Sequence, residues 1–265
     1  MLHARWQGHH RSSKPVLVWL HGFLGSAADW QGIQQSFSDW PLLSIDLPGH
    51  GGSGAQSVSG FDELCQRISA TLAAHQVDRY WLIGYSLGGR TAMYYACRAA
   101  GPGLMGMIVE AAHPGLTLPS ERAIRQLDDR RWAQRFRTQP LRQTLAQWYC
   151  QPLFAELSAM QRLALIDARA SSHAPSLAAM LEATSLSQQP DLLPELQQLT
   201  LPFYYLCGEW DHKFQLLAQQ KALPLSTIAA AGHNSHRANP AAFSWQIARI
   251  LRQTSHPASH FEELP

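Results

Sequence analysis

The chain reads as an α/β protein: a mostly parallel central sheet flanked by helices, with a helical cap inserted between sheet strands. Three observations predict this. Short apolar runs bounded by Gly and Pro recur at 16–20, 42–45, 80–83, 107–109 and 203–207, with a weaker one at 226–230. Longer helical patterns at 61–75, 87–99 and 240–252 alternate with them. Strands covered by helices on both faces have no polar side, so they read as continuous apolar runs. The segment 115–190 breaks the alternation with amphipathic stretches rich in Arg, Gln, Ala and Leu and no convincing strand. We therefore expect a core formed by 1–114 and 191–265, and a cap formed by 115–190. The alternative, further packing helices of the core layer, stays open at this level.

Composition narrows the class. The 265 residues are 46% hydrophobic and 15% charged, which supplies a core and excludes wholesale disorder. The net charge of +2, from 21 basic and 19 acidic residues, is too balanced for a nucleic-acid or membrane binder. Residues 1–14 have no apolar stretch of signal-peptide length, and no run of about 18 apolar residues appears elsewhere. Cys65, Cys97, Cys150 and Cys207 form no C-x-x-C pair. Reduced thiols and a cytoplasmic protein are expected, with a monomer favoured. His9-His10 is an isolated pair, and nothing else has metal-ligand spacing.

The chemistry begins at Gly84-Tyr85-Ser86-Leu87-Gly88, which matches G-x-S-x-G. The pattern alone is common, but a strand-like run precedes it and a helix-like run follows. A strand-to-helix turn of this kind strains the Ser and exposes its hydroxyl at a helix N-terminus. Ser86 is the expected nucleophile or base. Developing negative charge needs backbone N–H donors, one from Leu87 and one from a loop after an earlier strand. The sequence His21-Gly22-Phe23-Leu24-Gly25 supplies such a loop, and Phe23 is the candidate.

An acid and a histidine should follow in that order. The run 203–207 leads into Gly208-Glu209-Trp210-Asp211, and Asp211 is the expected acid. The alternative reading is a helix N-cap; Glu209 and Glu110 are reserves. His233, directly after the last short strand, is the expected base in preference to His236.

With His21-Gly22-Phe23, the turn Asp46-Leu47-Pro48-Gly49-His50-Gly51, Ser86, Asp211 and His233 in place, the chain resembles the α/β-hydrolase fold across nearly its whole length. Such a scaffold hosts many reactions, so the fold does not choose among them.

Arginine placement discriminates. All of the 21 basic residues except Lys14, Lys213 and Lys221 are Arg. Between 116 and 190 stand nine arginines, six acids and no lysine. Arg90 lies four residues after Ser86, where an unpaired guanidinium would be costly unless an anion meets it. Most cap arginines read as solvated or paired faces.

Four longer stretches narrow the resemblance: 84–90, 109–116, 181–185 and 203–209. They closely resemble the 2-succinyl-6-hydroxy-2,4-cyclohexadiene-1-carboxylate (SHCHC) synthase family of menaquinone biosynthesis. The resemblance implies a cofactor-independent lyase that eliminates pyruvate from a cyclohexene tricarboxylate. It implies that Ser86, activated by His233 and Asp211, removes a proton, with the Phe23 and Leu87 N–H groups holding the enolate oxygen. It also implies that Arg90, Arg125 and Arg169 hold carboxylates and that Tyr85 and Trp148 line the pocket. Arg122, three residues before Arg125 on one helical face, competes with it. Two other readings stand beside this one. One is a serine hydrolase of a carboxylate-bearing ester, thioester or C–C diketone; the other is a binding protein on a hydrolase scaffold. The intact Ser86, Asp211 and His233 weigh against the last.

Overall fold

The computed structural model describes residues 1–8 and 12–255; His9-His10 lies outside them. Among the described residues, seven strands form one sheet in the order β1-β3-β2-β4-β5-β6-β7. They are β1 (Ala4–Gln7), β2 (Val16–Leu20), β3 (Leu42–Ile45), β4 (Tyr80–Tyr85), β5 (Leu104–Glu110), β6 (Phe203–Gly208) and β7 (Leu225–Ile228). All neighbours are parallel except β1, which pairs antiparallel with β3, Ala4 opposite Ile45. The six apolar runs became β2 to β7. β1 escaped the sequence reading because an edge strand of four residues, Ala-Arg-Trp-Gln, has no apolar run to betray it.

Helices cover both faces of the sheet. In chain order they are α1 (Gln31–Gln34), α2 (Phe61–Ala74), α3 (Leu87–Arg98), α4 (Pro119–Thr138), α5 (Leu141–Trp148) and α6 (Ala159–Arg169). Then come α7 (Ala174–Ala183), α8 (Leu193–Gln198), α9 (His212–Gln220), α10 (Ser235–Ala238) and α11 (Pro240–Ser255). On one face Ile68 and Leu72 of α2, Met93 of α3 and Phe214 of α9 pack on Val18, Leu82 and Met107. On the other, Phe243, Ile247 and Ile250 of α11 close with Trp30 and Phe37 over Trp19 and Ile83. Pro240 opens α11 with its φ already helical, and Asn239 Oδ1 accepts from Ala242 N to cap it.

Helices α4 to α8 all lie between β5 and β6. Phe136, Leu145, Tyr149, Leu165, Leu177 and Leu181 gather around an apolar cluster of their own, into which Leu24 from the sheet domain inserts. Leu192 and Leu196, at α8, belong instead to the cluster beneath α3. No helix among the described residues is long and apolar enough to cross a membrane. The four cysteines are free thiols; Cys65 and Cys207 are buried and Cys150 is exposed.

Candidate active site

Ser86 sits between the end of β4 and the start of α3 with φ 49° and ψ −107°. A non-glycine residue there is strained by roughly 1–3 kcal/mol, which surrounding contacts must sustain. Ser86 N donates to the Glu110 carbonyl at 2.9 Å, and the Ser86 carbonyl accepts from Arg90 N at 2.9 Å. A Cβ on Gly84 would stand 2.4 Å from the Gly88 carbonyl oxygen, and one on Gly88 2.1 Å from that of Leu20. The turn is this tight only because both flanking residues lack side chains.

The loop after β2 lies against the same turn. A Cβ on Gly22 would meet the Tyr85 ring at 2.6 Å. Two buried imidazoles hold this loop. His21 Nδ1 donates to the Gly22 carbonyl at 2.7 Å, and its Nε2 accepts from Leu47 N at 2.9 Å. His50 Nδ1 donates to the Pro48 carbonyl at 2.9 Å, and its Nε2 accepts from Leu24 N at 3.0 Å. Each ring is thus a neutral single tautomer. Burial pushes the pKa of both down, that of His50 to about 3.

At the ends of β6 and β7, Asp211 and His233 meet. His233 Nδ1 is 2.7 Å from Asp211 Oδ2, and both side chains are almost wholly buried. Asp211 Oδ1 accepts from Phe214 N at 3.3 Å, capping α9. The Asp211 carboxylate thus gives one oxygen to His233 and the other to the α9 cap. With Nδ1–H donating to the carboxylate, the basic lone pair is on Nε2, which is buried and has no hydrogen-bond partner. Glu156 reaches over from the helical segment to accept from His233 N at 3.2 Å.

The reserve residues have other partners. Glu110 Oε2 lies 2.7 Å from His236 Nδ1, while its Oε1 accepts from Ser235 Oγ at 2.7 Å. The Tyr85 ring packs against both histidines, its centroid 5.3 Å from that of His233 and 4.8 Å from that of His236. Glu209 accepts from Ala230 N.

A cavity of about 610 Å³ opens over Ser86. Of the residues expected at the site, Phe23, Tyr85, Ser86, Leu87, Arg90, Arg125, Trp148 and His233 all line it. Asp211 stands behind His233. The Trp148 ring packs 5.1 Å from that of Phe23 and 4.9 Å from that of Trp132, making an aromatic wall.

Arg90 is 8% exposed. One terminal nitrogen donates to the Thr184 carbonyl, and the other is buried without a partner. Its guanidinium lies 5.4 Å from the Phe61 ring centroid. Burial, then the charge of Arg125, lowers its pKa to about 9, so it remains cationic at neutral pH. Arg125 Nε donates to Asp129 Oδ2 at 2.8 Å, and that buried carboxylate also accepts from Ser185 Oγ. Arg122 turns away to the carbonyls of Ser187 and Gln189 at 3.1 and 2.9 Å. Arg125 lines the cavity and Arg122 does not.

Arg169 departs from expectation. It is not among the residues lining the cavity. Its guanidinium meets both Asp29 oxygens at 2.7 Å, and Asp29 also takes Arg237 at 3.1 Å. Burial pushes the Asp29 carboxyl up, but the charge and hydrogen bonds of Arg169 outweigh this and hold it below its ordinary value. A largely buried carboxylate 140 positions away in sequence claimed this arginine, which no local pattern announces. Sequence reasoning also missed His113, Trp132 and Lys213 on the cavity wall. Of these only Lys213 carried a signal, as one of three lysines and two residues beyond Asp211.

The strained serine on a strand-to-helix turn, the buried His–Asp pair after the last strands and the mostly parallel sheet define an α/β-hydrolase-fold protein, and the alpha/beta hydrolase fold family model matches residues 15–239. An SHCHC synthase from Yersinia pseudotuberculosis is 53% identical over 93% of this chain and 90% of its own length. One from Serratia proteamaculans is 52% identical over 91% of this chain and 94% of its own. The structure of MenH from S. aureus superposes with a TM-score of 0.88 at 28% identity, covering 96% of this chain and 100% of that one. The chain belongs to the 2-succinyl-6-hydroxy-2,4-cyclohexadiene-1-carboxylate synthase family.

Proposed function

We propose that the chain is a lyase that eliminates pyruvate from 2-succinyl-5-enolpyruvyl-6-hydroxy-3-cyclohexene-1-carboxylate in menaquinone biosynthesis. The observation that carries this reading is Arg90. A buried guanidinium with an unpartnered nitrogen lines the same cavity as Ser86 and His233. A neutral ester would leave that charge unsatisfied, whereas a carboxylate would meet it with charge-assisted hydrogen bonds. The hydrolase alternative has no comparable observation in its favour.

The reaction follows from the side chains present. His233 Nε2 takes the Ser86 hydroxyl proton while Asp211 holds the opposite ring nitrogen. The Ser86 oxygen removes the ring proton α to the succinyl ketone, and charge develops on the ketone oxygen, where the N–H groups of Phe23 and Leu87 receive it. The released electrons form a C2–C3 double bond and the ring alkene shifts to C4–C5. The C5–O bond then breaks, and the departing enolate of pyruvate takes up a proton. No electrons leave the system, so the step is redox-neutral and calls for no hydride carrier.

Residues 115–190 would serve as the cap, supplying Arg125 and Trp148 to the site. The four free thiols support a reducing, cytoplasmic setting. The test is to supply the enolpyruvyl cyclohexene and follow diene absorbance together with pyruvate. Both should rise together; a rate no higher than the spontaneous one refutes the reading.

A further inference from the structure

Arg169 is bound to Asp29, so a tricarboxylate in the cavity meets Arg90, Arg125 and whatever third cation the wall provides. That cation is Lys213, in the first turn of α9. The three come from α3, α4 and α9, so they approach the cavity from separate elements.

Lys213 has no acid beside it, unlike several cations of the helical segment. Arg131 pairs with Asp128, Arg137 with Glu182 and Arg142 with Asp167. Among the described residues the Lys213 ammonium makes no hydrogen bond or ion pair. Its neighbour is the Phe214 ring, 5.6 Å from the nitrogen to the centroid. The carboxylates on and behind the cavity wall have partners: Asp128 holds Arg131, Asp129 holds Arg125 and Ser185, and Asp211 holds His233 and caps α9.

The charges also act on one another. Burial and then Arg125 lower the Lys213 pKa, with Asp211 opposing. His113, on the same wall, is pushed to about 3 by burial and then by Arg90, Lys213, Lys221 and Arg125. Like charges gathered around one cavity repel, and an anion in that cavity relieves the repulsion. A lysine on a flexible stem suits this role, since a point charge follows a carboxylate without demanding a bidentate geometry.

We propose that Lys213 holds one carboxylate of the substrate and completes, with Arg90 and Arg125, a three-cation set matched to a tricarboxylate. This deepens the function proposed above and rests on it.

The test separates the two. In a Ser86→Ala background, which binds without turning over, calorimetric titration with the enolpyruvyl tricarboxylate reads affinity alone. Lys213→Gln should weaken binding by about 10–30-fold, the usual effect of losing one charge-assisted contact, and Lys213→Arg should recover all but about 3-fold. With Ser86 intact, Lys213→Gln should raise KM by a similar factor while kcat changes much less. An unchanged Kd in Lys213→Gln overturns the role of Lys213, as does equal loss in the Gln and Arg variants, which would make shape rather than charge decisive. Failure of the unsubstituted protein to release pyruvate overturns the lyase reading instead, whatever the titration shows.

Discussion

Asp211 and His233 share a 2.7 Å hydrogen bond through Oδ2 and Nδ1, while the other Asp211 oxygen caps α9 through Phe214 N at 3.3 Å. One carboxylate thus orients the imidazole and anchors the helix that carries Lys213. The two duties are separable by substitution.

Asp211→Asn should keep the cap, because an amide oxygen still accepts from Phe214 N, yet it no longer selects the Nδ1–H tautomer. We expect kcat to fall by about 10³–10⁴-fold with little change in thermal stability. Asp211→Ala should lose a further ~1 kcal/mol of stability. Turnover assays with chemical denaturation on both variants check this; an active Asn variant refutes the orienting role.

Ser86 has φ 49° because the turn imposes it. Ser86→Gly should abolish most turnover and raise unfolding free energy by roughly 0.5–1 kcal/mol, since glycine adopts that conformation without strain. Urea unfolding of the two proteins decides; destabilisation by glycine would show that the strain is not felt.

Arg90 is charged and nearly buried, with one nitrogen lacking a partner. Arg90→Met should lower kcat/KM by about 10²–10³-fold, yet leave stability within about 1 kcal/mol, because the removed charge was itself poorly solvated. Unchanged kinetics would remove the carboxylate argument.

Arg169 and Asp29 form a largely buried pair between α6 and the loop region after β2. Arg169→Met alone should destabilise by roughly 2–4 kcal/mol by stranding Asp29 with the more exposed Arg237. Adding Asp29→Asn should restore part of that loss. A double-mutant cycle for stability and kcat/KM measures the coupling; zero coupling with lost substrate affinity would return Arg169 to the cavity.

Buried neutral histidines make the fold acid-sensitive. The folded pKa values of His50 and His113 are lowered to about 3 from an ordinary value of 6.5, so the unfolded chain binds more protons across that window. Their contribution is fully present above about pH 6.5 and is lost as pH falls toward 3, with a slope approaching ~1.4 kcal/mol per pH unit for each ring. Urea unfolding from pH 7 to pH 4 should show this loss. His50→Ala should be less stable at pH 7 but have the shallower slope.

How much was legible varied with how local the feature was. The elbow at 84–88 and the six parallel strands β2 to β7 are each written within a few adjacent residues, so apolar runs and glycine spacing sufficed. β1 was not, because pairing with β3 rather than its own composition makes it a strand. From sequence Asp211 reads as a helix cap or as a partner for a histidine, and the structure puts Phe214 N on one oxygen and His233 on the other. The arginines were hardest, since every guanidinium looks alike until a carboxylate or carbonyl is found beside it.

By itself the sequence determined the fold class and the tight turn that carries Ser86, because steric limits and hydrophobic periodicity act over short stretches of chain. Tertiary structure alone decided which charges are already paired within the protein. It sent Arg169 to Asp29 and Arg122 to the carbonyls of Ser187 and Gln189, and left Arg90 and Lys213 facing the cavity. An ion pair depends on distance through space, and residues 29 and 169 become neighbours only when the helices close over the sheet.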